Sequence, residues 1–144
     1  MKSTLRLFSL FALLAVSAFA KINADENNVA LQGHDPVAFF TLGQATTGLP
    51  SLSAEHHGAT YHFASAANQR AFIASPSLYV PAYGGYCAFG AAKGKLFPVE
   101  IDTWQIVDGQ LLLNYNQEIK AQFDVNISEF IATADKNWVG LSQE

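Results

Sequence analysis

Apolar and polar positions alternate over residues 59–64, with Tyr61 and Phe63 on one side and Thr60 and His62 on the other. Alternation places successive side chains on opposite faces of an extended chain, so this stretch is read as a half-buried strand. Ser65 follows it, and its hydroxyl can accept from the free N–H groups of a first helical turn, which predicts a helix running to Ala74 and stopping short of Pro76. Further on, residues 103–107 and 110–115 are two β-like runs around Asp108-Gly109, a pair suited to a two-residue hairpin turn. Helical spacing returns over residues 116–123 and 127–136, the latter opening after Asn126 with Phe130, Ile131 and Ala134 on one side. A short helix is expected over residues 86–93, stopped by Gly94, with Gly84-Gly85 ahead of it to permit unusual backbone angles or a close approach. Residues 43–53 mix Gly, Pro, Ser and Thr without a period and are read as a surface loop. The predicted architecture is α+β: a small antiparallel sheet with a hairpin at 103–115 and several short packing helices.

The start of the chain has a different character. Lys2 and Arg6 lead into an apolar run over residues 7–16, followed by Ser17-Ala18-Phe19-Ala20. That is the pattern of a signal peptide over residues 1–20, cut after the small-residue site Ala18-Phe19-Ala20. The run is shorter than the roughly 20 residues a membrane span needs, so residues 21–144 are expected to form one soluble domain, periplasmic or secreted. The leader holds two of the eight basic residues and none of the twelve acidic ones, so the remainder is more acidic than the formal charge of −4. With no Lys/Arg cluster, neither nucleic acid nor an anionic membrane is an expected partner. Half of the residues are hydrophobic and 14% charged, which fits a chain able to bury a core.

Export changes the meaning of Cys87, the single cysteine. It cannot close an intrachain disulfide, so an oxidising compartment leaves four roles for it: metal ligand, redox group, intermolecular bond or buried packing residue. A thiol at a helix N-terminus feels a partial positive charge that favours thiolate, and Lys93 or Lys95 would add to this on folding back toward it. As a packing residue it would be a small hydrophobe beside Tyr86 and Phe89. The other soft or borderline ligands are His34, the pair His56-His57, and His62. One thiolate with two imidazoles makes a three-ligand copper site. Adjacent histidines on a strand face opposite ways, so only one of His56 and His57 would serve unless the pair lies in a turn. No Gly-x-Ser-x-Gly elbow, phosphate loop, dinucleotide fingerprint or Cys-x-x-Cys is present, and no catalytic residue is assigned.

Several ordered motifs resemble a known family. Asp35-Pro36-Val37-Ala38-Phe39-Phe40, Tyr61-His62-Phe63-Ala64-Ser65, Phe72 and Pro76-Ser77-Leu78-Tyr79 are similar to the YHS domain. Tyr83-Gly84-Gly85-Tyr86-Cys87-Ala88, Trp104-Gln105-Ile106-Val107-Asp108-Gly109 and Ala134-Asp135-Lys136-Asn137-Trp138 extend the likeness to the exported bacterial branch of that family, over residues 29–141. Many YHS domains resemble heavy-metal modules whose ligands are cysteines. At those positions this chain has Ala38, Ala64 and Asn68, so the resemblance carries no ligand over from that site. Asp35, ahead of Pro36, is expected to fix a turn through its carboxylate.

Taken together, these features point to an exported binding module acting on a metal ion, a small ligand or a protein partner. The sharpest expectation is a transition-metal site at Cys87, His34 and His57, copper first and zinc less favoured. A single-cysteine thiol-redox protein that works with a partner is the alternative, and an interaction domain with a buried Cys87 is a third.

Overall fold

Asp35 and Pro36 open the first helix, α1 (Pro36–Thr41), in the computed structural model, which describes residues 18–144. Proline suits the first helical position because its ring presets φ and its missing N–H costs no bond there, while the Asp35 carboxylate accepts from Val37 N–H and Ala38 N–H. The expected leader falls mainly on residues 1–17, outside the described residues. Among the described residues no helix is long and apolar enough to cross a membrane.

Two hairpins follow, each a separate two-stranded antiparallel sheet. Strand β1 (Leu49–His56) pairs with β2 (Ala59–Phe63) through the turn His57-Gly58, where both residues have positive φ. The alternation in β2 is realised: Tyr61 and Phe63 are buried while Thr60 and His62 are half-buried. Strand β1 corrects the sequence reading, which placed residues 43–53 in a loop. Its first residues are exposed and its register is broken between Leu49 and Ser53, so cross-strand pairing holds it without a period of its own. Pro50 is tolerated at such an irregular strand end because no ladder donor is needed there. The second hairpin, β3 (Glu100–Val107) and β4 (Gln110–Asn114), turns at Asp108-Gly109 as expected, with φ positive at both residues.

Helices pack around these hairpins. α2 (Ala66–Ala74) is capped by Ser65, whose hydroxyl accepts from Asn68 N–H, and it buries Phe72 against Tyr61 and Phe63. α3 (Ala88–Ala92) is a short helix with Cys87 at its N-cap and Gly94 in the left-handed region just beyond it. α4 (Gln117–Asp124) is capped by Asn116, and α5 (Ile127–Leu141) runs five residues past its predicted end. Trp138 and Leu141 explain the extension, since both pack into the cluster formed with Ala88, Ala91, Phe123 and Ala134. A larger cluster joins Val37, Phe39, Tyr61, Phe63, Phe72, Cys87, Leu111 and Leu113. Phe89 packs against both clusters, so α3 is the element between them.

The segment before α1 is tied into this frame at distant points. Lys21 N–H donates to Ser142 O just past α5, and Asn23 N–H donates to Gly84 O. Gly84 has φ +59, and a Cβ there would overlap the Lys21 carbonyl, so the close approach expected at Gly84-Gly85 is made by the N-terminal segment.

Candidate functional site

Two polar centres organise the residues that the sequence singles out. The first is Asp35, which is wholly buried. Its Oδ1 accepts from Val37 N–H at 2.8 Å and Ala38 N–H at 3.2 Å, and its Oδ2 accepts from Ala64 N–H and Asn68 Nδ2 at 2.8 Å each. A buried carboxylate is tolerable only when its lone pairs are filled, and here four donors from three segments fill them. The turn-fixing role expected for Asp35 is present and wider than a turn. Ala38, Ala64 and Asn68, the positions where the YHS resemblance leads one to look for cysteine, all supply a donor to this one carboxylate.

Around Cys87 lies the second centre, where Thr103 sets the geometry. The pairing of β3 and β4 is irregular between Glu100 and Gln105. Within that stretch Thr103 Oγ1 accepts from Asn114 N–H at 2.8 Å and stands 2.9 Å from Asn114 O and 2.6 Å from Glu100 O. This anchors Asn114 at the end of β4, with its carboxamide turned toward α3. Asn114 Oδ1 accepts from Phe89 N–H at 3.0 Å and lies 3.5 Å from Cys87 Sγ. The Phe89 bond fixes which amide atom is oxygen, leaving Nδ2 buried with no hydrogen-bond partner.

Cys87 is 1% exposed, and its Sγ accepts from Gly90 N–H at 3.3 Å. Burial pushes the thiol pKa up, against smaller downward pulls from the Gly90, Tyr115 and Phe89 N–H groups. The pull of the helix N-terminus toward thiolate is therefore outweighed by the loss of water. Lys93 and Lys95 do stand on the same cavity as Cys87, a space of about 590 Å³ whose remaining wall is Phe89, Gly90, Phe97, Tyr115 and Ile119. Lys93 Nζ lies 5.0 Å from the centre of the Phe89 ring and 5.3 Å from that of Phe130, a cation held over two aromatic faces.

The three expected metal ligands occupy three places. His34 is half-buried in a bridge to Thr47, and its Nδ1 lies 3.1 Å from Leu31 O. His57 is exposed in the β1–β2 turn, its ring stacked on His56 at 3.9 Å and on Phe19 at 5.0 Å. The turn is what lets both adjacent histidines share a side. They border a second cavity, of about 340 Å³, together with Tyr61, Tyr83, Asp135 and Trp138. Inside it the Tyr83 hydroxyl donates to Asp135 Oδ1 at 2.9 Å. Burial is the main cause of a strongly raised Tyr83 pKa, followed by this bond and the Asp135 charge. Cys87 borders the first cavity, so the structure does not bring it to His57. Among the described residues no group of three His, Cys, Asp or Glu side chains is placed to hold a metal ion.

Sequence reasoning missed Asn114 and Ile119, which sit behind and beside Cys87. Asn114 ends a strand and Ile119 lies in a helix, and neither position carries a motif. The one available signal is an asparagine closing an otherwise apolar strand, Leu111-Leu112-Leu113-Asn114. Comparison with known proteins assigns no family: no family model matches the chain, and no curated protein and no solved structure matches it.

Proposed function

We propose that the chain is an exported YHS-type binding module whose ligand seats in the cavity over Cys87, with the thiol a protonated, packed part of its wall. The observation that carries this reading is the cavity itself, apolar on most of its wall, within the size range of small-molecule pockets and held by two stretches of the chain, residues 87–97 and 115–119. The raised thiol pKa supports a packing role over redox chemistry. The copper reading at Cys87, His34 and His57 has less support, because the polar groups around Sγ are backbone N–H groups and Asn114 Oδ1 and not imidazole.

Nile red, an uncharged dye, tests the reading when titrated into residues 21–144 beside Ile119→Trp, which fills the cavity. Binding that is lost in the variant is the expected result. Failure of the dye to bind, or binding unaffected by the variant, would overturn it. A parallel titration with Cu(I), Cu(II) and Zn²⁺ decides the metal reading. Stoichiometric binding lost in both Cys87→Ser and His34→Ala would replace the present proposal with a copper or zinc site.

A further inference from the structure

Charge around the Cys87 cavity narrows the class of its occupant, provided that a ligand seats there as proposed. The cavity wall holds two lysines and no acidic side chain. Among the described residues the only ion pair is Lys120 with Asp124, so neither Lys93 nor Lys95 has an acidic partner, and both are exposed at the mouth. Below them the wall is aromatic and aliphatic: Phe89, Phe97, Tyr115 and Ile119. Phe97 and Tyr115 are 41% and 47% exposed although they pack edge to face with ring centres 6.3 Å apart, so apolar surface is left open beside the two cations. Behind the wall, the carboxamide of Asn114 contacts Cys87 Sγ and Phe89 N–H while its own Nδ2 lacks an acceptor.

From this arrangement we infer that the cavity takes an amphipathic organic anion, with an apolar body lying against Phe89, Phe97 and Ile119 and an anionic head at Lys93 and Lys95. Charge complementarity selects the anion: a cationic ligand would face two ammonium groups with no acidic partner, and a neutral one would leave them without a counter-charge. Apolar area selects the body, since an inorganic anion would leave the exposed Phe97 and Tyr115 faces in water. Tyr115 O–H gives the wall one polar group with which to orient a ligand. No covalent step is involved: Cys87 is a packed part of the wall.

Calorimetric titration of residues 21–144 with decanoate, decanol, decyltrimethylammonium and sodium sulfate, each below its aggregation threshold, tests the inference. Decanoate is expected to bind at least tenfold more tightly than decanol, with no binding of decyltrimethylammonium or sulfate. The variant Lys93→Glu/Lys95→Glu is expected to lose that tenfold preference, read as the ratio of decanoate to decanol affinity in the same protein. Backbone amide shifts on decanoate binding should centre on Gly90, Phe97 and Ile119. Equal binding of decanol and decanoate would overturn the anion assignment and leave the cavity-binding proposal standing. Sulfate binding as tightly as decanoate would remove the apolar body. Failure of every probe, together with failure of Nile red, would remove both proposals.

Discussion

Replacing Asp35 is the sharpest test of how this fold is held, because four donors converge on one buried carboxylate. Asp35→Ala removes the N-cap of α1, worth about 1 kcal/mol. It also strands Ala64 N–H and Asn68 Nδ2, each a half-buried donor whose lost partner costs on the order of 1–2 kcal/mol. The sum is about 3–5 kcal/mol, a large part of the roughly 5–15 kcal/mol available to a domain of this size. Asp35→Asn separates charge from shape. Its amide oxygen can still cap α1, yet its NH₂ would face the Ala64 and Asn68 donors, so a loss of about 2–3 kcal/mol is expected despite near-identical volume. Urea unfolding followed by tryptophan fluorescence in a Trp138→Phe background reads both variants, since Trp104 packs on Phe39 of α1 with ring centres 5.2 Å apart. A double-mutant cycle with Asn68→Ala should return a coupling of at least about 1 kcal/mol. If Asp35→Asn stays within about 0.5 kcal/mol of the parent, the hydrogen-bond reasoning is wrong and Asp35 acts only by filling space.

Other consequences are independent of that one. Gly84→Ala places a Cβ against the Lys21 carbonyl at φ +59, and a loss of more than about 1 kcal/mol with release of the N-terminal segment is expected, read by amide exchange at Asn23. Native Cys87 should react with iodoacetamide at least about tenfold more slowly than in urea, because the thiol is buried and its pKa raised; rapid native alkylation would return the case to redox chemistry. Burial first and the neighbouring His57 second push the His56 pKa down from the ordinary histidine value. The unfolded chain therefore binds that proton more readily, and the contribution of His56, present above the unfolded pKa, is lost as pH falls through the folded one. Urea midpoints should drop between about pH 7.5 and pH 5.5, and less so in His56→Gln; identical slopes in the two proteins would refute this.

How much of this was legible in the sequence differs by element. Strand β2, the Ser65 cap, the Asp108-Gly109 hairpin and the helix after it depend on neighbours within a few residues, and local pattern found them. Strand β1 did not declare itself because Leu49-Pro50-Ser51-Leu52-Ser53 has no clean alternation, and its pairing with β2 supplies what propensity does not. The end of α5 was set by Trp138 and Leu141 meeting a distant cluster. At the candidate site, Cys87, Lys93 and Lys95 were readable as a neighbourhood. Asn114 and Ile119 enter from a different hairpin and helix, and the pull of burial on the thiol depends on that packing. Likewise the Asp35 turn was visible, whereas its bonds to Ala64 and Asn68 span 29 and 33 residues.

The tie between Lys21 and Ser142 has a bearing on the order of events in synthesis. A segment whose partner lies 121 positions later cannot reach its final place until residues near 142 have left the ribosome. The bond of Asn23 to Gly84 can form once residue 84 has emerged, whereas the bond of Lys21 to Ser142 comes last and closes the N-terminal segment onto the end of α5.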